Sequence, residues 1–395
     1  MQCKLQWEIA KASPIESCSP GAENFHGTTL DKCRELSKIV FMLLVIFGAG
    51  ASYDSVPHHL PPEAQFSTNI LRVRQFGPYE EFRPPLANQL FDDRPLFVRI
   101  MQTYPACKPL VNLLRGDVRV EQQLAKFEEQ AKTFPPRKQQ LAAIRYYLHE
   151  MLWNCQANWA NEHGGITNHL TFLDAINRWR HENHEQVCIV TFNYDTMLEE
   201  TMAQLWGWQF TKLSAYTSRP EYKLIKLHGS IDWGQEILSD VGRGKPKEVI
   251  DCAVCDLVIS DSYGKVNRDM QFENGTFGYP ALAIPVEKKS EFVCPAEHLR
   301  ALADFLPNVT KIITIGWRAT EQNFLAMLKN KLTGLKGDVD LIVVSGTIKD
   351  MTETNANLGL VNALSGCKYP TVDTGFSGLI RSIGQLDSFL SISPQ

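Results

Sequence analysis

The chain has 395 residues, with 40 Lys+Arg against 44 Asp+Glu and 44% hydrophobic residues. That length accommodates one large domain or two coupled ones, and the hydrophobic content excludes disorder for most of the chain. A net charge of −4, without a dense Lys/Arg run, gives no electrostatic case for nucleic acid or an anionic membrane as the main partner.

Residues 1–41 differ from the rest. Five acidic and five basic side chains balance, and Ser13-Pro14 and Ser19-Pro20-Gly21 interrupt any periodicity. This segment is expected to be a poorly ordered extension or a misassigned start, with the functional chain beginning near Met42. The apolar run Ile39–Ala51 has 13 residues. It is shorter than the roughly 20 needed for a spanning helix, so it reads as a buried strand and no membrane anchor is expected. The ten cysteines lack regular spacing, which suggests a reduced, cytoplasmic protein rather than a disulfide framework.

From about 62 to 185 the periodicity is helical. Leu141, Ile144, Leu148, Met151, Cys155 and Trp159 recur every three or four residues. Pro135-Pro136 separates this helix from an earlier one carrying Leu124 and Phe127, and Thr167 is placed to cap a third. Short Val/Ile-rich runs follow at Val187–Thr191, Lys223–Leu227, Lys311–Ile315 and Asp340–Val344. Such runs indicate parallel strands covered on both faces. The expected fold is α/β: a doubly wound, mostly parallel, Rossmann-like sheet with a large helical insertion after its first strand.

Three strand ends carry candidate chemistry. Gly48-Ala49-Gly50-Ala51-Ser52 closes the first strand with small residues that let backbone N–H groups approach a diphosphate at a helix start. The alternative is an ordinary strand-to-helix turn, since the third glycine of the dinucleotide fingerprint falls at Tyr53. Asn193-Tyr194-Asp195 follows the second strand, where Asn193 offers both a donor and an acceptor. Helix capping is the plainer role for such residues. Lys226-Leu227-His228-Gly229-Ser230 ends the third, and a histidine there suits a general base near neutrality.

In this order the three motifs resemble the sirtuin-like family of NAD-consuming proteins, with the long first spacing of bacterial antiphage-defence NAD+ hydrolases. The resemblance covers Met42 to about Gly375, leaving 376–395 as a C-terminal helix and tail. It implies that Gly48, Ala49, Gly50, Ala51 and Ser52 line the diphosphate. Asn193 would orient the nicotinamide ribose or the attacking water, Asp195 would contact the carboxamide, and His228 would act as base. Gly316, Trp317 and Ser345 sit where the family lays its adenosine half.

The departures from the protein-deacylating branch are specific. Ser52 is followed by Tyr53-Asp54-Ser55-Val56-Pro57, without that branch's phenylalanine and arginine. Only one CxxC pair, Cys252 and Cys255, stands where two would build a zinc module, and Cys294 with His298 is too distant to complete a regular finger. Zinc is therefore not expected. His181-Glu182-Asn183-His184 is one residue short of the HExxH spacing and reads as a solvated turn. The run Glu287, Lys288, Lys289 and Glu291 reads as surface, and Trp206, Trp208 and Trp233 as core.

The resemblance implies an NAD+ glycohydrolase that depletes NAD+ in bacterial defence, restrained by a regulatory partner or by homo-oligomerisation. An NAD-dependent deacylase and a non-catalytic NAD or ADP-ribose sensor are the alternatives.

Overall fold

The computed structural model describes residues 42–56, 81–115, 120–239, 244–254, 257–284, 292–332, 339–364 and 371–391. Residues 1–41, Pro57, Cys255, Pro285 and the charge run 287–291 lie outside them.

Six strands form the larger sheet: β1 Met42–Phe47, β2 Gln186–Thr191, β3 Tyr222–Lys226, β7 Val309–Ile315, β8 Asp340–Val344 and β9 Thr371–Val372. Their order is β3-β2-β1-β7-β8-β9, and every neighbouring pair is parallel. Val45 is flanked by Ile189 and Ile313, the register that an unbroken apolar run demands when both faces are covered. Leu43 to Phe47 are wholly buried.

This order makes the sheet doubly wound. From β1 the chain winds one way through β2 and β3, then returns to lay β7, β8 and β9 on the other side of β1. The winding direction reverses between β1 and β7, and open α/β sheets bind ligands at the carboxyl ends of the strands at such a switch point.

Between β1 and β2 the described chain is helical: Ala49–Tyr53, Pro95–Thr103, Lys108–Leu114, Val120–Ala131, Pro135–Glu162 and Asn168–Asn183. Pro135 and Pro136 separate the long helix from Val120–Ala131 and form its first turn, where their missing N–H groups cost nothing. Thr167 precedes the last of these helices, but its hydroxyl makes no cap bond and is buried without a partner among the described residues. His181 to Asn183 end the same helix, and His184 adopts a left-handed C-cap at φ 58°. Two helices, Gly375–Arg381 and Ile383–Leu390, close the described chain. Among the described residues no helix is long and apolar enough to cross a membrane.

A second, antiparallel sheet has the order β5-β4-β6, from β4 Gly229–Ile237, β5 Ile259–Lys265 and β6 Gly278–Leu282. The helical insertion packs on it. Tyr146 donates to the Gly278 carbonyl at 2.9 Å and Arg145 to that of Leu282. Ile231, Ile237, Leu282 and Ile284 share a core with Ile144, Leu148 and Met151. The chain passes from β3 into β4 through Leu227-His228 alone, so His228 stands at the junction of the two sheets.

Candidate active site

The first turn is built by contact between glycines. Gly48 N–H donates to the Ile315 carbonyl at 3.0 Å, and Gly50 N–H to that of Gly316 at 3.1 Å. A Cβ on Gly48 would lie 2.5 Å from the Gly316 oxygen, and one on Gly50 2.8 Å from the Gly316 Cα. Gly316 itself has φ 60°, and a Cβ there would meet Ala51 N at 2.4 Å. These glycines let the ends of β1 and β7 touch. The N–H groups of Gly48 and Gly50, expected to face a diphosphate, are committed to protein carbonyls. Ala51 N–H bonds back to Gly48 O at 2.9 Å. Ala49 is half-buried at the same helix start.

The second turn locks onto the first. Asn193, 8% exposed, donates through Nδ2 to the Gly48 carbonyl at 3.0 Å and to Ser52 Oγ at 2.7 Å. A carbonyl can only accept, so Gly48 fixes which end of the amide is the NH2. Ser52 donates its single hydroxyl hydrogen bond to Asp195 Oδ2 at 2.6 Å. It is therefore a relay inside the protein, and that proton is not offered to a phosphate. Thr191 Oγ1 accepts the Asn193 backbone N–H at 3.0 Å and holds the turn. The amide's other end, Asn193 Oδ1, is buried without a hydrogen-bond partner among the described residues. An orphaned buried acceptor at the switch point of the sheet calls for an explanation, and a ligand hydroxyl is a chemically apt one. Asp195 also serves as a local cap: its Oδ1 accepts the Met197 N–H at 3.2 Å, at the start of the helix Met197–Trp206.

The third turn packs against the second. The His228 ring lies 4.9 Å from Phe192 and 6.2 Å from Tyr194, the residues flanking Asn193. Its backbone is pinned where Ala283 N–H donates to His228 O at 2.9 Å. Gly229 has φ 81°, and a Cβ there would strike the Ala281 oxygen at 1.8 Å. Phe192 stacks on Trp317 at 5.4 Å and 9°. Trp317, expected to face adenosine, is buried, and its indole N–H donates to Glu321 Oε2 at 2.5 Å. Ser345, at the end of β8, is buried and accepts the Gly375 N–H at 2.9 Å.

Burial shapes the electrostatics. Lys226 is 0% exposed. Its ammonium bonds the Asp195 backbone carbonyl and pairs with Glu199 Oε1 at 3.0 Å. Desolvation pushes the Glu199 carboxyl up, and Lys226 opposes that shift. The motif containing Lys226 was legible, but its role in bracing the Asn-Tyr-Asp turn was not.

His169 was missed altogether. It is buried between Phe47 and Phe376, at ring distances of 5.5 and 5.2 Å. Burial brings its pKa down to about 4, with the Asp195 charge opposing. Its Nδ1 has no partner among the described residues. The available signal was a polar Asn-His pair opening the helix that leads into β2. Asn168 Nδ2 donates to the Asp54 carbonyl at 2.7 Å and so ties this helix start to the first turn.

The remaining candidates lie elsewhere. Among the described residues no three His, Cys, Asp or Glu gather to hold a metal ion. Cys294 is buried, and His298 faces the Leu213 carbonyl through Nε2 at 3.0 Å. Trp233 is buried in the core, and Trp206 packs with Trp208 at 4.5 Å.

No family model and no curated protein matches the chain. Among solved structures, it is similar to Sir2 in complex with the inhibitor EX-527, 2′-O-acetyl-ADP-ribose and a deacetylated p53 peptide. There the identity is 10% and the TM-score 0.35, over 88% of this chain and 94% of that one. It is similar to a triple mutant of a Sir2 homologue with 2′-O-acetyl-ADP-ribose, at 12% identity and TM-score 0.39, over 92% and 99% of the two chains. It is also similar to a Sir2–p53 peptide–NAD+ complex, at 11% identity and TM-score 0.32, over 90% and 99%.

Proposed function

We propose that this chain is an NAD+ glycohydrolase, converting NAD+ and water to nicotinamide and ADP-ribose. The observation that carries the reading is the convergence at the switch point. The Asn193 amide is clamped by Gly48 and Ser52 with its Oδ1 left buried and unpartnered, and His228 packs against the residues on either side.

The chemistry asks for little beyond positioning. The bond between the ribose C1′ and the pyridinium nitrogen breaks, and its electron pair neutralises the departing nicotinamide. The sugar gains oxocarbenium character, and water adds to C1′ and loses a proton. In this reading Asn193 Oδ1 accepts from a ribose hydroxyl or from the attacking water, and His228 takes the proton. Asp195, oriented by Ser52 and the Met197 N–H, faces the carboxamide. Gly316, Trp317 and Ser345 flank the adenosine side. The family resemblance of the three motifs extends the reading to a cytoplasmic antiphage effector, held inactive by a regulatory partner or by its own oligomerisation until infection.

The test is nicotinamide release from NAD+ by purified protein. His228→Ala and Asn193→Ala are each expected to lower kcat by about 10²–10⁴. Release that requires an acylated peptide would identify a deacylase instead. Saturable ADP-ribose binding without turnover, insensitive to His228→Ala, would identify a sensor.

A further inference from the structure

We propose that Gln156, on the long helix of the insertion, is a positioning residue that sets Asp195 against the nicotinamide end of the substrate. The inference deepens the reading above and rests on it for the role of Asp195.

Gln156 is 5% exposed, and both ends of its amide go to the segment after Asp195. Its Oε1 accepts the Thr196 N–H at 2.6 Å, and its Nε2 donates to Thr196 Oγ1 at 2.5 Å and to Glu200 Oε1. A backbone N–H can only donate, so Thr196 fixes which end of the amide is the oxygen. Thr196 Oγ1 in turn donates to Glu200 Oε1 at 3.2 Å, which closes a ring of three side chains. Thr196 is the N-cap residue of the helix Met197–Trp206, yet its hydroxyl makes no cap bond. Asp195 Oδ1 takes that place by accepting the Met197 N–H at 3.2 Å. Gln156 thus holds the residue between Asp195 and Met197, and with it the direction of the Asp195 carboxylate.

The same helix face reaches the first turn. Trp159, three residues on, donates its indole N–H to Ser55 Oγ at 2.9 Å and shares a small core with Val56 and Met197. The helix Pro135–Glu162 therefore touches the exits of both turns. Lys226 holds the Asp195 carbonyl from β3, so the Asn-Tyr-Asp turn is gripped by the sheet and by the insertion.

Glu200 gives the ring a pH signature. The residue is exposed as a whole, but its carboxyl lies against the other two side chains. Desolvation there pushes the carboxyl up to about 7, against the hydrogen bonds from Gln156 and Thr196 and with the help of the Glu199 and Asp195 charges. A carboxylate placed at 156 would face that of Glu200 with no proton between them at pH 8. At pH 6 one of the two would be protonated and could donate.

The test uses the full chain with Gln156→Met, Gln156→Glu and the exchange Gln156→Glu/Glu200→Gln. It measures kcat on NAD+, the affinity for nicotinamide by ligand-observed NMR and that for ADP-ribose by calorimetry. Gln156→Met keeps the bulk without the amide, and it should lower kcat and nicotinamide affinity by about tenfold each at both pH values, the size of a lost hydrogen bond or two. ADP-ribose affinity should stay within about twofold, because that ligand lacks the carboxamide. Gln156→Glu should show the same losses at pH 8 and recover to within about threefold of wild type at pH 6. The exchange restores an amide donor and a carboxylate acceptor to the ring, and at pH 8 it should return to within about threefold of wild type.

Unchanged nicotinamide affinity in Gln156→Met overturns the proposal. So does an equal loss of ADP-ribose affinity, which would make Gln156 a structural residue of the whole site. An exchange variant no better than Gln156→Glu at pH 8 also overturns it. If Gln156→Glu fails to fold, Gln156→Met and the exchange decide. A wild type that binds neither nicotinamide nor ADP-ribose overturns the proposal together with the functional reading. Gln156-dependent nicotinamide binding by a wild type that releases none from NAD+ would sink the hydrolase reading and leave this inference standing. Normal hydrolysis by Gln156→Met, with nicotinamide affinity unchanged, would do the reverse.

Discussion

Replacing Asn193 with aspartate exchanges one NH2 for an oxygen and so probes the polar order of the site. In the native protein that NH2 donates to Gly48 O at 3.0 Å and to Ser52 Oγ at 2.7 Å. An ionised carboxylate can donate to neither, and it sets an oxygen against the Gly48 carbonyl. It also competes with Asp195 for the one Ser52 proton. Losing two donated bonds costs about 1 kcal/mol each, and desolvating the new charge adds a comparable amount, giving about 3–4 kcal/mol at pH 8. Burial raises the introduced carboxyl's pKa above its unfolded value of about 3.9. Its stability contribution is therefore present at low pH and lost as pH rises through the folded pKa. At pH 5 the protonated carboxyl can donate to Gly48 again, so the deficit should shrink to about 1–2 kcal/mol. Urea unfolding of Asn193→Asp and wild type at both pH values measures this. A deficit that is equal at the two, or larger at pH 5, would show that the NH2 does not face Gly48.

Other substitutions test the surroundings of the same site. His169 titrates near 4 in the fold against an ordinary 6.5, so below about pH 6.5 the unfolded chain takes up a proton that the native state refuses. Stability should be flat above that pH and fall by about 2 kcal/mol by pH 5; His169→Gln should flatten that decline in urea titrations. Gly316→Ala places a methyl 2.4 Å from Ala51 N in a backbone at φ 60°. It should cost about 3 kcal/mol or more, or yield insoluble protein. Lys226→Met strands the buried Glu199 carboxylate and should destabilise by about 3–5 kcal/mol, and adding Glu199→Leu should recover much of that loss. A double variant as unstable as the single one would show that the ion pair is not the source of the cost.

The parallel strands were readable because burial on both faces leaves continuous apolar runs, as in Leu43–Phe47 and Leu341–Val344. Strand order was not, because it depends on where each crossover returns, and no local pattern records that. The antiparallel sheet escaped detection for a different reason. β5 reads Ile-Ser-Asp-Ser-Tyr-Gly-Lys and has no fully buried residue, so its alternation is too weak to mark a strand. At the site, the three turns were visible as small or polar residues ending apolar runs. Their partners were not. The glycines signalled close approach, but only the fold shows that the approaching group is the main chain of Gly316. His169 opens the helix that leads into β2 and sits in no chemical motif, and its proximity to Asp195 is a product of the fold.

A structure of the protein with ADP-ribose bound would test most directly whether Asn193 and His228 serve one site. The ribose that carried nicotinamide should place a hydroxyl, or an ordered water at C1′, within about 3 Å of Asn193 Oδ1. The His228 imidazole should face the same sugar. A ribose bound away from the β1–β7 switch point, with Asn193 Oδ1 still unpartnered, would contradict the assignment.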